Sequence, residues 1–164
     1  MKNIKFSRLF AAMMFVAVLA LTGCKQNADP SPKKIEGTWV STYGEKYVIS
    51  GSEVKNYYTD SATKEFKLTY TGNSVEIKEL TDTTGYIYMK YTRSANADWT
   101  YSETAPDVGK WYALYYFELA DKSVKISGAA KTGGKTSCAT LDEAKTEFTV
   151  ANGYFTGSSP CAKQ

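Results

Sequence analysis

From Ile35 onward, hydrophobic and polar residues alternate along most of the chain, which is the pattern of half-buried β-strands. The segments 65–70 and 74–78 alternate most regularly. They are separated by Thr71-Gly72-Asn73, which is typical of a tight turn, so together they predict a β-hairpin. Further segments of this kind lie at 35–42, 45–50, 53–59, 85–93, 98–103, 110–119 and 123–127, giving nine predicted strands.

Two of these segments, 85–93 and 110–119, are apolar on both faces for most of their length. Tyr86, Tyr88, Tyr112 and Tyr116 occupy their second faces, where they would either line an interior cup or coat the outer surface. Simple packing and the β-propensity of tyrosine explain each of them equally well. The pattern therefore leaves both roles open.

The period changes once, near the end of the chain. Thr140-Leu-Asp-Glu143 has the form of a capping box, and Asn152-Gly153 is a plausible stop about three helical turns later. Leu141, Ala144, Phe148 and Ala151 share one helical face between them. The fold class predicted for residues 35–164 is all-β, a small antiparallel β-barrel of about eight to nine strands with one C-terminal α-helix.

The first residues follow the pattern of a secretory signal. Lys2, Lys5 and Arg8 form a positive start, and residues 9–21 form an uncharged apolar run of 13 residues. Such a run is shorter than the roughly 20 residues of a spanning helix. Residues 1–23 are therefore interpreted as a signal peptide.

Leu21-Thr22-Gly23-Cys24 follows this run and resembles the lipobox of bacterial lipoproteins. The resemblance implies cleavage before Cys24, attachment of palmitate-like acyl chains to it, and anchoring in a membrane. By similarity to enterobacterial sorting, Lys25 favours the outer membrane and leaves surface exposure open. The alternative is an ordinary secretory leader with an incidental cysteine.

Residues 24–34 are polar, contain Pro30 and Pro32, and are interpreted as the lipidated cysteine and a flexible tether. The full chain has 20 basic and 17 acidic residues, and three of the basic ones precede Cys24. The rest of the chain therefore balances its charges and has no basic run, which argues against nucleic-acid binding.

The chain contains no histidine, which removes the usual general base and the commonest zinc ligand. Fragments such as Ser61-Ala-Thr-Lys64 and Lys131-Thr-Gly133 resemble catalytic motifs, but the first falls in a polar turn between predicted strands and the second in a loop between a strand and the predicted helix. The sequence predicts no enzyme, no cofactor and no metal site.

Cys138 and Cys161 remain once Cys24 is lipidated, and an even pair in an exported domain suggests a disulfide. In the chain-entropy model such a bond would contribute about 3 kcal/mol. Two free thiols are the alternative. A catalytic role is disfavoured because no histidine could activate either thiol.

Gly37-Thr38-Trp39 lies on the first predicted strand. A G-x-W there, followed by antiparallel strands, a late helix and late cysteines, resembles the lipocalin-like (calycin) barrels. That resemblance implies that Trp39 closes the barrel floor under a basic side chain, for which Arg93 is the candidate. The chain is also similar to small tyrosine- and lysine-rich spirochaete lipoproteins of unknown function. Alternatively, Trp39 belongs to the core of another β-sandwich.

The expected function is binding without catalysis. A lipocalin-like barrel would enclose a small hydrophobic ligand among inward aromatic side chains. The alternative is a surface lipoprotein that adheres to a protein partner through a tyrosine-rich face. The membrane, reached through the N-terminal lipid, is a partner in both cases.

Overall fold

Eight strands close into an antiparallel barrel in the computed structural model, which describes residues 34–164. The elements are β1 (Gly37–Ser41), β2 (Glu45–Ile49), β3 (Glu53–Thr59), β4 (Phe66–Thr81), β5 (Thr84–Ala95), β6 (Tyr101–Ser102), β7 (Trp111–Phe117), β8 (Ser123–Gly128), α1 (Leu141–Glu147) and β9 (Ser159–Lys163). The predicted signal peptide, the predicted lipidation site Cys24 and the tether up to residue 33 lie outside the described residues.

Each barrel strand pairs with its neighbours in the order β1-β2-β3-β4-β5-β7-β8-β9, and β9 returns to β1. The short β6 pairs with the end of β5 alone and forms a hairpin outside the closed ring. Closure leaves no unpaired edge around the barrel. The predicted all-β fold, a small antiparallel barrel with one helix, is confirmed.

The barrel has two distinct ends because its strands alternate in direction. We call the end where β1 begins the floor; the connections 50–52, 82–83 and 118–122 lie there. We call the opposite end the mouth; the connections 42–44, 60–65, 96–110 and 129–158 lie there. The longer connections are therefore at the mouth.

The predicted hairpin at 65–78 is wrong, because β4 runs without a turn through Gly72. A Cβ atom at Gly72 would lie 2.8 Å from the sulfur of Met89 and 3.0 Å from the carbonyl oxygen of Lys90. Because Gly72 has no side chain, the inward Met89 side chain can pack directly against the backbone of β4. The hairpin turn follows Thr81 instead, where β4 meets β5.

Two hydrophobic clusters lie on the two sides of the wall formed by β5 and β7. Ile87, Met89 and Leu114, all fully buried, belong to the cluster that fills the barrel interior. Tyr88 and Ala113, from the alternate positions, belong to the second cluster outside the barrel. Both strands are apolar on both faces because each face is covered.

The helix α1 and the segment after it cover that outer face. Thr140 Oγ1 accepts a hydrogen bond from the backbone N–H of Glu143 at 3.2 Å, which confirms the predicted N-terminus. The helix has seven residues and ends at Glu147, about one turn earlier than predicted. Asn152 Nδ2 donates to the carbonyl oxygens of Thr146 and Glu147, each at 2.9 Å, and so satisfies the free C-terminal carbonyls.

Trp39 is fully buried in the interior cluster, and its Nε1 donates to the carbonyl oxygen of Ile35 at 2.7 Å. The cation over its ring is Lys163, at the end of β9, with its nitrogen 5.1 Å from the ring centre. A Cβ atom at Gly37 would lie 2.9 Å from Lys163 Cε. Gly37 thus leaves the room in which the lysine side chain reaches the tryptophan.

Arg93, expected to pack across Trp39, lies near the mouth end of β5. Its Nη2 donates to the carbonyl oxygen of Tyr101 at 2.5 Å. The strand that supplies the cation, β9, was not predicted, because Ser159-Pro-Cys-Ala-Lys163 lacks the alternation and the β-branched residues of a typical strand.

The structure corrects the predicted disulfide, since Cys138 and Cys161 are both free and buried. Cys138 pairs with Trp111 by two backbone hydrogen bonds and belongs to the outer cluster. Cys161 lies on β9 opposite Ser41 and belongs to the interior cluster. The barrel wall separates the two environments, so the bond does not form.

Within residues 34–164, no helix is long and apolar enough to cross a bilayer.

Candidate ligand-binding cup

A pocket of about 560 Å³ opens at the mouth of the barrel. Its walls come from the mouth ends of β4, β5 and β7, from the β5–β6 hairpin, and from the start of the 129–158 connection. We call this pocket the cup. Its most informative lining residues are Tyr70, Tyr91, Trp99, Tyr101, Asp107 and Tyr112.

Three tyrosines from three different strands form the base of the cup. The rings of Tyr91 and Tyr112 stack with centres 5.0 Å apart and an interplanar angle of 23°. Tyr70 meets both edge-on, with centres 5.9 Å from each. Each ring thus fixes the other two, and these rings pack against the hydrophobic core below.

The hydroxyls of these tyrosines remain protonated at neutral pH. Burial raises the pKa of Tyr70 and of Tyr91 well above the ordinary value. Burial also raises the pKa of Tyr112, although the backbone of Ala129 stabilises its charged form. The base of the cup therefore presents neutral aromatic rings.

Trp99 stands at the tip of the hairpin between β5 and β6. The backbone N–H of Asn96 donates to the carbonyl oxygen of Thr100 at 2.7 Å, and Asp98 Oδ1 accepts from the N–H and the hydroxyl of Thr100. This tight loop holds Trp99 at φ 63° and leaves it 80% exposed. Trp99 is therefore a large exposed aromatic side chain on left-handed backbone, and it lines the cup.

Asp107 supplies a carboxylate to the cup wall. Its Oδ1 accepts a hydrogen bond from the Ser137 hydroxyl at 2.7 Å and pairs with Lys110 Nζ at 3.1 Å. Partial burial raises the pKa of Asp107, but hydrogen bonds from Ser137 and Thr136 outweigh that effect. Together with Lys110 they hold the pKa below its ordinary value, so the group is ionised at neutral pH.

The structure divides the four tyrosines singled out in the sequence. Tyr112 lines the cup, and Tyr116 is buried in the barrel interior. Tyr86 and Tyr88 face outward but are buried beneath the helix layer, where the Tyr86 hydroxyl accepts from the backbone N–H of Val150 at 3.3 Å. The four do not form one surface.

Sequence reasoning missed Tyr70 because the regular alternation of residues 65–70 gives no sign of the irregular pairing of this strand. The register of the β3–β4 pairing shifts between Lys55 and Tyr57, whose partners are Thr71 and Leu68. This shift turns Tyr70 inward while Leu68, two residues earlier, stays 37% exposed. Such a bulge has no reliable sequence signal. Trp99, by contrast, did carry a sequence signal, because it is a lone tryptophan in an otherwise polar turn.

The arrangement can bind but has little chemistry of its own. Among the described residues, no group of three His, Cys, Asp or Glu side chains comes together as a metal site. Asp107 is engaged by Lys110 and Ser137, and the tyrosine hydroxyls are neutral. The cup therefore offers aromatic surface with one fixed charge.

Comparison of the chain with protein-family models, with curated proteins and with solved structures gave no match.

Proposed function

We propose that this protein is a membrane-anchored lipoprotein whose lipocalin-like barrel binds a small ligand in the cup, without catalysis. The observation that supports it is the mouth pocket of about 560 Å³, with five aromatic side chains in its lining. Natural ligand pockets have this size range and this mostly apolar lining with a few polar groups.

The packing below the cup limits the ligand to the mouth. Trp39, Ile87 and Leu114 are fully buried and fill the lower interior. A ligand therefore rests its apolar part on the Tyr91 and Tyr112 rings, while the rest contacts Trp99 or extends into solvent.

The anchor is supported by sequence features alone, namely the signal pattern of residues 1–23 and the lipobox-like residues that end at Cys24. Cys24→Ala is expected to release the protein from the membrane fraction of cells. A variant that still sediments with membranes would contradict lipid anchoring and leave the ligand proposal standing.

The strands of residues 34–164 and both hydrophobic clusters lie within one compact unit of the chain, so the lipid-free segment 25–164 contains the complete barrel. We expect this segment to bind the neutral fluorescent probe N-phenyl-1-naphthylamine at one site. Ala130→Trp, at an exposed position on the cup lining, should fill the space and abolish binding.

The matched control is Val150→Trp, which adds the same side chain at a half-exposed position away from the cup lining. This variant should bind the probe as the parent does. Equal binding by both variants would contradict a site in the cup.

A further inference from the structure

The charges around the cup indicate which class of ligand it takes, an inference that rests on the proposed function. We propose that the cup binds an organic cation, a quaternary or protonated amine, with its charged group held among the aromatic rings near Asp107.

The side chains that line the cup carry a negative charge and no positive charge. Among the described residues that line it, Asp107 is the carboxylate, and none is a lysine or an arginine. Glu45, nearby on β2, acts electrostatically on Tyr70 and Tyr112 as well. An anionic ligand would meet no compensating cation in this lining, whereas a cation would meet the Asp107 carboxylate, and Glu45 outside the lining would act in the same sense.

The aromatic side chains add attraction of the same sign. The faces of Tyr91 and Tyr112 carry the negative part of the ring quadrupole, as do those of Tyr101 and Trp99. Aromatic groups that converge from several directions on one space are how proteins recognise quaternary ammonium ions. Here they come from the barrel strands β5 and β7, from the tip of the β5–β6 hairpin and from β6.

Two protein cations lie close to this site but do not occupy it. Lys110 reaches Asp107 with a half-exposed side chain, and Arg93 donates to the Tyr101 carbonyl oxygen. Lys110 therefore competes with a bound cation for the carboxylate. Its removal should strengthen binding, the opposite of what removal of Asp107 should do.

The test compares choline with its neutral carbon isostere 3,3-dimethyl-1-butanol, by calorimetric titration of segment 25–164. The two differ in charge but hardly in shape. We expect choline to bind at least about tenfold more tightly, which corresponds to about 1.4 kcal/mol. Choline should also displace N-phenyl-1-naphthylamine from the cup.

Variants separate charge from packing. Asp107→Asn should weaken choline binding about tenfold and leave the alcohol unchanged, whereas Lys110→Gln should strengthen choline binding. Asp121→Asn, which removes an exposed carboxylate at the floor, is the control and should change neither. Tyr101→Phe should keep choline affinity and Tyr101→Leu should lose it.

The outcomes distinguish the two proposals. Equal affinity for both compounds, or probe binding without choline binding, would overturn the cation proposal and leave the ligand-binding cup intact. Absence of choline, alcohol and probe binding would overturn both. Tighter choline binding that Asp107→Asn leaves unchanged would place the cation elsewhere and also overturn the inference.

Discussion

The ammonium nitrogen of Lys163 lies 5.1 Å from the centre of the Trp39 ring and joins the last strand of the barrel to the first. The backbone register sets this contact, because Trp39 and Lys163 are direct partners in the β1–β9 ladder. The pair closes the barrel where the two ends of the described chain meet. The contact depends on Gly37, whose hydrogen leaves space for the lysine stem.

Gly37→Ala should therefore destabilise the barrel by about 1–3 kcal/mol in urea unfolding. A Cβ atom would meet Lys163 Cε at 2.9 Å, and φ is +136°, a region that residues with side chains avoid. Part of this destabilisation is a steric clash between the new methyl group and Lys163. Lys163→Ala should therefore lower the free energy of unfolding less in the Gly37→Ala variant than in the parent protein. Strict additivity of the two substitutions would contradict a direct contact.

Gly72→Ala should cost about 1–3 kcal/mol, because the added methyl group overlaps Met89 in the packed interior. Gly157→Ala is the matched control, since a Cβ atom there has no neighbour within 4 Å. We expect the control to unfold at nearly the parent urea concentration. Equal unfolding midpoints for both variants would show that β4 does not pass Met89 as described.

The nine-strand prediction illustrates how far the sequence determines this fold. Alternation located most strands to within a few residues and identified the capping box at Thr140, because both signals are local. The number nine was reached through two opposite errors. Gly72 was interpreted as a turn although a glycine in mid-strand also admits a neighbour's side chain, and the Pro160-containing β9 was missed because pairing, not propensity, makes it a strand.

The cup could be predicted only in part for a related reason. The sequence showed that both faces of β5 are apolar but left open which face is inward, and the structure places Tyr91 on the inward face. Which mouth residues converge depends on the bulge beside Tyr70, on closure of the barrel, and on how the β5–β6 hairpin folds over. These features follow from long-range pairing. Lys163, rather than Arg93, meets Trp39 for the same reason.

The two free cysteines should be unreactive in the folded protein. Burial raises the pKa of Cys138 to about 11 and that of Cys161 to about 12, so little thiolate exists at neutral pH. Segment 25–164 lacks Cys24 and contains only these two cysteines. In the native protein they should react slowly with a thiol reagent. After denaturation without reductant, two thiols per chain should react. A count of zero after denaturation would demonstrate the disulfide that the structure lacks.

Alkaline pH should unfold the barrel. Burial raises the pKa of Tyr91 and of Tyr70 well above the ordinary value, and it raises the pKa of Tyr88 and of Tyr116 to about 12. The unfolded chain loses these protons near pH 10 while the folded chain retains them. The contribution of these tyrosines to stability is therefore constant below that pH and falls as the pH rises through about 10 toward the folded values.

Phenolate absorbance and circular dichroism, followed together, check this expectation. Part of the phenolate signal should appear only with the loss of the folded spectrum. Complete tyrosine ionisation while the folded spectrum persists would contradict the burial of these hydroxyls.

Ligand binding at the mouth of the barrel can be followed through the indole N–H signals of Trp99 and Trp39 in a nuclear magnetic resonance titration. The probe is N-phenyl-1-naphthylamine. Trp99 stands at the mouth and Trp39 is bonded to Ile35 near the floor, so the two signals report on opposite ends. Binding in the cup should produce a saturable shift of the Trp99 signal and leave the Trp39 signal unchanged. A saturable shift of Trp39 alone, or no shift of either signal, would contradict it.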